Sequence, residues 1–157
     1  MCEIVEASTT EQVEQVRTLF VEYRAELAVE PCFHSFDEEI ASLPGVYVPP
    51  AGKLLLASVV GQPVGCIGLR PFPMEGACEM KRLYVRPPFR GDKLGKQLAE
   101  RIIEEARALG YKSMRLDSHP PTMEAAIKMY RKLGFREVSA DPVAPVAGQV
   151  YMELSLA

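Results

Sequence analysis

The residues with the most chemical potential fall in one short stretch. Glu79, Met80, Lys81, Arg82, Leu83, Tyr84 and Val85 have strand character; after Arg86, Pro87, Pro88 and Phe89 come Arg90, Gly91, Asp92, Lys93, Leu94, Gly95 and Lys96, and then an amphipathic helical pattern. A strand, a glycine loop and a helix start, in that order, make an anion cradle. The first turn of a helix has N–H groups without intrahelical partners and carries the positive end of the dipole, so phosphate oxygens accept several hydrogen bonds there. Glycine lets the backbone come close, and Arg90, Lys93 and Lys96 add charge, with arginine able to grip a phosphate bidentately. From residue 81 to 96 the cations Lys81, Arg82, Arg86, Arg90, Lys93 and Lys96 face the single acid Asp92, although the chain as a whole carries a net charge of −3. An acidic protein thus keeps one concentrated basic segment, and that segment wants an anion.

Two familiar phosphate motifs do not fit. A triphosphatase loop needs two glycines five apart and a Ser or Thr after the lysine, whereas Gly91 and Gly95 are one residue too close and Gln97 follows Lys96. A dinucleotide fingerprint needs a second glycine two positions after Gly91, where Lys93 stands. The triplet Arg90, Gly91, Asp92 also spells a cell-adhesion sequence, a coincidence in a cytosolic protein.

The elements that must position this stretch follow from periodicity and punctuation. Residues 2–7 alternate as a first strand. Ser8, Thr9 and Thr10 ahead of Glu11 and Gln12 form a capping-box start for a helix whose apolar face is Val13, Val16, Phe20, Tyr23 and Leu27, ended by Pro31. A short second helix starts at Ser35, with Phe36, Ile40 and Leu43 inward, before the prolines and glycine of 44–50 force a loop. Residues 53–60 and 64–69 are strands joined by Gly61, Gln62 and Pro63, and a turn at 73–77 leads into a third strand at 78–85, so these three form an antiparallel meander. The next helix carries Leu94, Leu98, Ile102, Ala106 and Leu109 to the stop at Gly110. A strand at 112–117, a helix from Pro120 to Leu133 closed by Gly134, and strands at 135–138 and 150–156 complete the chain. The order β-α-α-β-β-β-α-β-α-β-β describes an α/β fold with a mixed, mostly antiparallel sheet flanked by helices, in a single domain over residues 1–157.

Composition narrows the function classes. The 157 residues are 48% hydrophobic and 25% charged, ordinary for a globular protein. Cys2, Cys32, Cys66 and Cys78 have no CxxC spacing and no leader pattern opens the chain, which predicts a reduced, cytoplasmic protein. Cys32 and His34 lack a second ligand pair, so no metal site is expected. Apolar runs such as 54–60 are far shorter than the roughly twenty residues that cross a bilayer, so no membrane partner is expected. The net charge argues against a nucleic-acid partner for the whole surface.

The element order, the strand 78–85, the loop 90–96 and the run Ala126, Ile127, Lys128, Met129, Tyr130, Arg131, Lys132, Leu133, Gly134, Phe135 together resemble the GNAT superfamily of N-acetyltransferases, over essentially the whole chain. In the family's loop pattern of Arg or Gln, two residues, Gly, one residue, Gly or Ala, Arg90 and Gly95 match while Lys93 replaces the middle glycine. Met123 stands where the family often has an asparagine. The resemblance implies acetyl-coenzyme A as co-substrate, its pantetheine arm held along the backbone of Leu83, Tyr84 and Val85 and its pyrophosphate over Arg90, Gly91, Asp92, Lys93, Leu94, Gly95 and Lys96. It implies Tyr130 as the hydrogen-bond or proton donor to the departing thiolate and Glu79 as general base, acting directly or through water.

Acetyl transfer to an amine agrees with these placements. An amine with a pKa near 10 must lose a proton before it attacks the thioester, and the tetrahedral oxyanion needs a donor, for which an N–H at a strand bulge near Leu83 serves. Plainer roles stand beside each of these. Glu79 and Lys81 alternate on one strand face and can pair with each other; Tyr130 shares an apolar stripe with Ala126, Ile127 and Leu133; His119 is an alternative base or a solvated residue. Glu22, Glu26, Glu30, Asp37, Glu38 and Glu39 crowd the first two helices, where they favour a cationic acceptor by steering or form a solvated surface. The expected activity is acetyl transfer to a primary amine of a small molecule or peptide by direct attack in a ternary complex. A catalytically silent acyl-coenzyme A sensor of the same fold and a homodimeric interaction scaffold are the rival readings, and the acceptor's identity is carried by loops at 31–52 and 141–148 without a motif.

Overall fold

The computed structural model describes residues 2–27, 36–91, 93–118 and 124–157. The expectations for Glu30, Pro31, Cys32, His34, Ser35, Asp92, His119, Pro120 and Met123 lie outside these residues. Strand β1 (Cys2–Glu6) leads to α1 (Thr10–Leu27) and α2 (Phe36–Ala41); β2 (Lys53–Val59), β3 (Gln62–Pro71) and β4 (Ala77–Val85) come next. A 3₁₀ turn (Pro87–Phe89) precedes α3 (Leu94–Ala108), then β5 (Ser113–Ser118), α4 (Glu124–Lys132), β6 (Arg136–Val138) and β7 (Val150–Ser155). The expected order is the observed one, and β2, β3 and β4 form the expected antiparallel meander.

Thr9 and Gln12 start α1 as the capping box predicts. The Gln12 N–H donates to Thr9 Oγ1 at 3.1 Å, while the N–H groups of Ser8 and Thr9 donate to Gln12 Oε1 at 3.0 and 3.1 Å. The seven strands form one sheet in the order β1-β2-β3-β4-β5-β7-β6, with β4 and β5 its parallel pair. Because the central strands are buried on both faces, β2 reads as the continuous apolar run Leu54, Leu55, Leu56, Ala57 instead of alternating with polar residues. Leu54 and Leu56 pack with Phe20, Phe36 and Tyr47 beneath α1 and α2, and Leu55 and Ala57 pack with Leu98 and Ile102 of α3. Helices therefore cover both faces. Among the described residues no helix is long and apolar enough to cross a membrane.

Strand β4 is irregular along both of its edges. Its pairing with β3 passes from Cys66↔Tyr84 to Gly68↔Lys81, so Arg82 and Leu83 together oppose the single residue Ile67. This bulge puts Arg82 at φ 61°, a left-handed conformation that costs an L-residue about 1–2 kcal/mol. Glu39 of α2 holds it there: Arg82 Nε and Nη2 donate to the Glu39 carboxylate at 2.9 Å each, and the guanidinium lies 4.4 Å from the centre of the Phe36 ring. On the other edge β4 pairs with β5 only from Ala77↔Ser113 to Glu79↔Arg115, while β5 stays paired with β7 through Ser118↔Val150. Beyond Glu79 the sheet is parted.

Candidate active site

The parting of β4 from β5 is the centre of the site. A groove of about 700 Å³ runs along the free edge of β4 past Leu83, Tyr84 and Val85, over the loop at Arg90, Gly91, Lys93, Leu94, Gly95 and Lys96, and under α4. The structure thus brings the described members of the expected cofactor site together. The loop suits an anion for two backbone reasons. Gly91 takes φ +97° without strain, and Lys93, the residue before α3, has no side-chain cap on the helix, leaving the first-turn N–H groups open. Gly95 turns open space toward the groove, since a Cβ there would meet only Val85 Cγ2 at 3.9 Å.

The basic segment divides in a way its sequence does not announce. Arg90 Nη1 and Nη2 donate to Glu26 at 2.6 Å each and its Nε donates to the Val85 carbonyl at 2.7 Å, so it fastens the loop to β4 and α1. Arg86 Nε and Nη2 donate to Glu22 at 2.9 and 2.7 Å, holding that carboxyl below the usual range. Asp37 pairs with Arg24. Burial would raise the Glu39 carboxyl, but hydrogen bonds and charge from Arg82 outweigh it and hold Glu39 below the usual range. The acids of the first two helices therefore serve largely as arginine anchors. Glu38 stays exposed.

Lys93 and Lys96 remain for the groove, and α4 adds Lys128 and Lys132. Sequence reasoning missed this second pair because it looks like an ordinary wet helix face. The available signal is spacing: Ala125, Lys128, Met129 and Lys132 recur three and four apart, one face of a helix, and that face lines the groove. Among the described residues none of these four lysines has an ion-pair partner.

Where the strands part, a small cavity of about 70 Å³ lies between Met80, Lys81, Arg82 and Leu83 of β4 and Leu116, Asp117 and Ser118 of β5, with Tyr130 and Ala126 of α4 on its wall. Tyr23, Leu83 and Ala126 line both it and the groove. Tyr130 packs its ring 5.8 Å from that of Phe135, and burial pushes its hydroxyl up, with Asp117 adding to the rise. A hydroxyl with a raised pKa is a weaker acid, so Tyr130 suits donation of a hydrogen bond to sulfur better than full proton transfer.

Glu79 stands just before the parting, facing Arg115 of β5 in register. Burial raises its carboxyl, partly opposed by Lys81, whose Nζ is 3.9 Å from Glu79 Oε2. It lines a side cavity with Phe72 and Asp117 and not the small cavity itself. Asp117 does line both, and its Oδ1 receives Lys81 Nζ at 3.4 Å. Asp117 is the acid that sequence reasoning overlooked. Nothing marks it in a strand ending Leu116, Asp117, Ser118, and only the parting of β4 exposes it to the reacting space. The described cysteines offer no nucleophile: burial raises the thiols of Cys2 and Cys66 and pushes that of Cys78 up to about 12.

Among the described residues, a sheet parted at its parallel pair, a bulge beside the opening, and a helix N-terminus with lysines along one groove make a site shaped for a long anionic ligand. The chain belongs to the Acetyltransferase (GNAT) family, which it matches over residues 13–135, and it is an acyltransferase. It is 37% identical over 147 residues to an uncharacterized N-acetyltransferase of Schizosaccharomyces pombe, covering 93% of this chain and 90% of that one. It is 33% identical over 101 residues to the N-acetylaspartate synthetase of Danio rerio, 64% of this chain and 36% of that one. Its fold is that of the PaiA N-acetyltransferase of Thermoplasma acidophilum, solved with coenzyme A, at a TM-score of 0.76 and 19% identity, over 99% of each chain.

Proposed function

We propose that the protein transfers the acetyl group of acetyl-coenzyme A to a primary amine by direct attack within a ternary complex. The supporting observation is that three cavities adjoin: the lysine-lined groove shares Leu83 and Ala126 with the small cavity at the parting of β4 and β5, and that cavity shares Lys81, Arg82 and Asp117 with a further cavity of about 510 Å³. A cofactor enters from one end and an acceptor from the other. The diphosphate rests on the first turn of α3 with Lys93, Lys96, Lys128 and Lys132 around it, and the pantetheine arm runs along the unpaired edge at Leu83, Tyr84 and Val85. The acceptor amine comes through the further cavity, gives its proton to Glu79 through water beside Asp117, which lines both the small cavity and the side cavity of Glu79, and attacks the thioester carbonyl. The oxyanion takes an N–H at the Arg82–Leu83 bulge, and Tyr130 donates to the sulfur as the bond breaks. Amine acceptors suit the N-acetyltransferase relatives, of which N-acetylaspartate synthetase is named for an acetylated amino acid.

Steady-state thiol release from acetyl-coenzyme A over a panel of primary amines tests this. Release should depend on the amine, with no burst in its absence, and Tyr130→Phe should lower turnover by about 10²-fold, the lower end for a positioned acid, while coenzyme A affinity stays within about twofold. An amine-independent burst would sink direct attack, and unchanged turnover in Tyr130→Phe with chemistry rate-limiting would return Tyr130 to the core.

A further inference from the structure

The further cavity, between α2, the chain at Ser42–Tyr47 and strands β3 to β5, carries the cations Arg70, Lys81 and Arg82 on its wall beside the acids Glu38, Glu39 and Asp117. They differ in how far they are committed. Arg82 is held bidentately by Glu39 and lies over Phe36. Lys81 is shared between Asp117 at 3.4 Å and Glu79 at 3.9 Å. Arg70, opposite Glu79 in the β3–β4 register, has one ion-pair neighbour among the described residues, Glu79 Oε1, 3.9 Å from its Nε, which is too long for a hydrogen bond. That Nε is buried with no acceptor among the described residues, although 37% of the side chain as a whole is exposed. A guanidinium has five N–H donors, and a buried donor without a partner is uncommon and costly unless a ligand or a water supplies one.

Position fixes which end of a ligand would meet it. Asp117 and Lys81 line both the small cavity at the parting and the further cavity, whereas Arg70 lines only the further one. An acceptor whose amine sits beside Asp117, within reach of the thioester, therefore has its remaining end toward Arg70. Glu79 already shares Arg70 and Asp117 already shares Lys81, so the open guanidinium fork suits a singly charged, planar anion better than a phosphate dianion. We propose that the acceptor is an amine that carries a carboxylate, a compound of amino-acid type, and that Arg70 grips the carboxylate. This rests on the acetyl-transfer reading above and specifies its acceptor class.

The experiment pairs free L-amino acids with their amides, in which –COO⁻ becomes –CONH₂, as acceptors for thiol release from acetyl-coenzyme A. The wild type should use at least one amino acid more than tenfold better in kcat/KM than its amide. Arg70→Gln should erase that ratio through a rise of about 10- to 100-fold in acceptor KM, the range of a hydrogen bond to a charged group, and Arg70→Lys should restore part of it. The KM for acetyl-coenzyme A, which also checks the fold, should not move. Equal use of acids and amides by the wild type, or an equal loss on both in Arg70→Gln, overturns the carboxylate site and leaves acetyl transfer standing. Failure of every amine to elicit thiol release, while coenzyme A still binds, overturns both.

Discussion

Glu79, Asp117 and Tyr130 are chemically informative because their surroundings push two of them the same way for one reason. Burial raises both the Glu79 carboxyl and the Tyr130 hydroxyl, and Asp117 adds to each rise through its charge. For a base the rise is useful: a carboxylate with a higher pKa takes a proton more readily, provided the pH keeps it ionised. Turnover should therefore fall as pH drops through the raised value, because the protonated carboxyl can accept nothing, and the fall should begin above the ordinary glutamate value of about 4.3. Glu79→Gln should lower kcat by about 10²-fold or more and remove this acidic limb, as measured in kcat against pH at saturating substrates. Asp117→Asn should keep the limb and move it downward, since a negative neighbour of Glu79 is lost. A limb that survives in Glu79→Gln and vanishes in Asp117→Asn would make Asp117 the base.

Of three left-handed residues that are not glycine, Val60, Arg82 and Lys93, the last two lie at the candidate site. At Lys93 the strain sits where α3 begins, and the helix has no side-chain cap there. Lys93→Gly should therefore stabilise the fold by up to about 1 kcal/mol, read as a rise in Tm, while the lost charge raises the KM for acetyl-coenzyme A a fewfold. Gly95→Val should leave the fold intact because the space is open and raise that KM more than tenfold by filling it. A Gly95→Val protein with wild-type affinity would place the diphosphate elsewhere. These elements were legible to different degrees. The capping residues Thr9 and Gln12, the meander and the helix stops at Gly110 and Gly134 follow from local chemistry, so the order of elements came out of sequence alone. The bulge could be expected near Leu83 but not its cause: Arg82 is held by a carboxylate 43 residues away, and nothing local in the strand shows that. For the same reason the basic segment does not announce that Arg90 pairs with Glu26, which comes from another helix.

Across the whole molecule, a net charge of −3 coexists with a lysine-lined groove because pairing is selective. Helix α1 neutralises Arg86 with Glu22 and Arg90 with Glu26, fixing those arginines as struts, while Lys93, Lys96, Lys128 and Lys132 keep their charge along the groove. Two of these come from the loop before α3 and its first turn and two from α4, so the field converges from both sides of the space where the cofactor phosphates would lie. Coenzyme A carries several negative charges, and each exposed lysine near them contributes a modest, salt-screened attraction whose sum is appreciable. The double reversal Lys128→Glu and Lys132→Glu should therefore raise the Kd for coenzyme A by about tenfold or more at low salt, and less at high salt, where the Debye length falls from about 10 Å at 0.1 M to about 3 Å at 1 M. Both lysines are exposed and opposite the buried Ile127 and Tyr130, so the melting temperature should hardly change. The acceptor KM should hold as well, because the further cavity is lined by none of the four lysines. Binding measured by calorimetry at two salt concentrations separates the outcomes. A Kd that rises equally at both salts would mean that the reversals disturb packing of α4, and an unchanged Kd would remove α4 from the phosphate site and leave α3 alone to hold the cofactor.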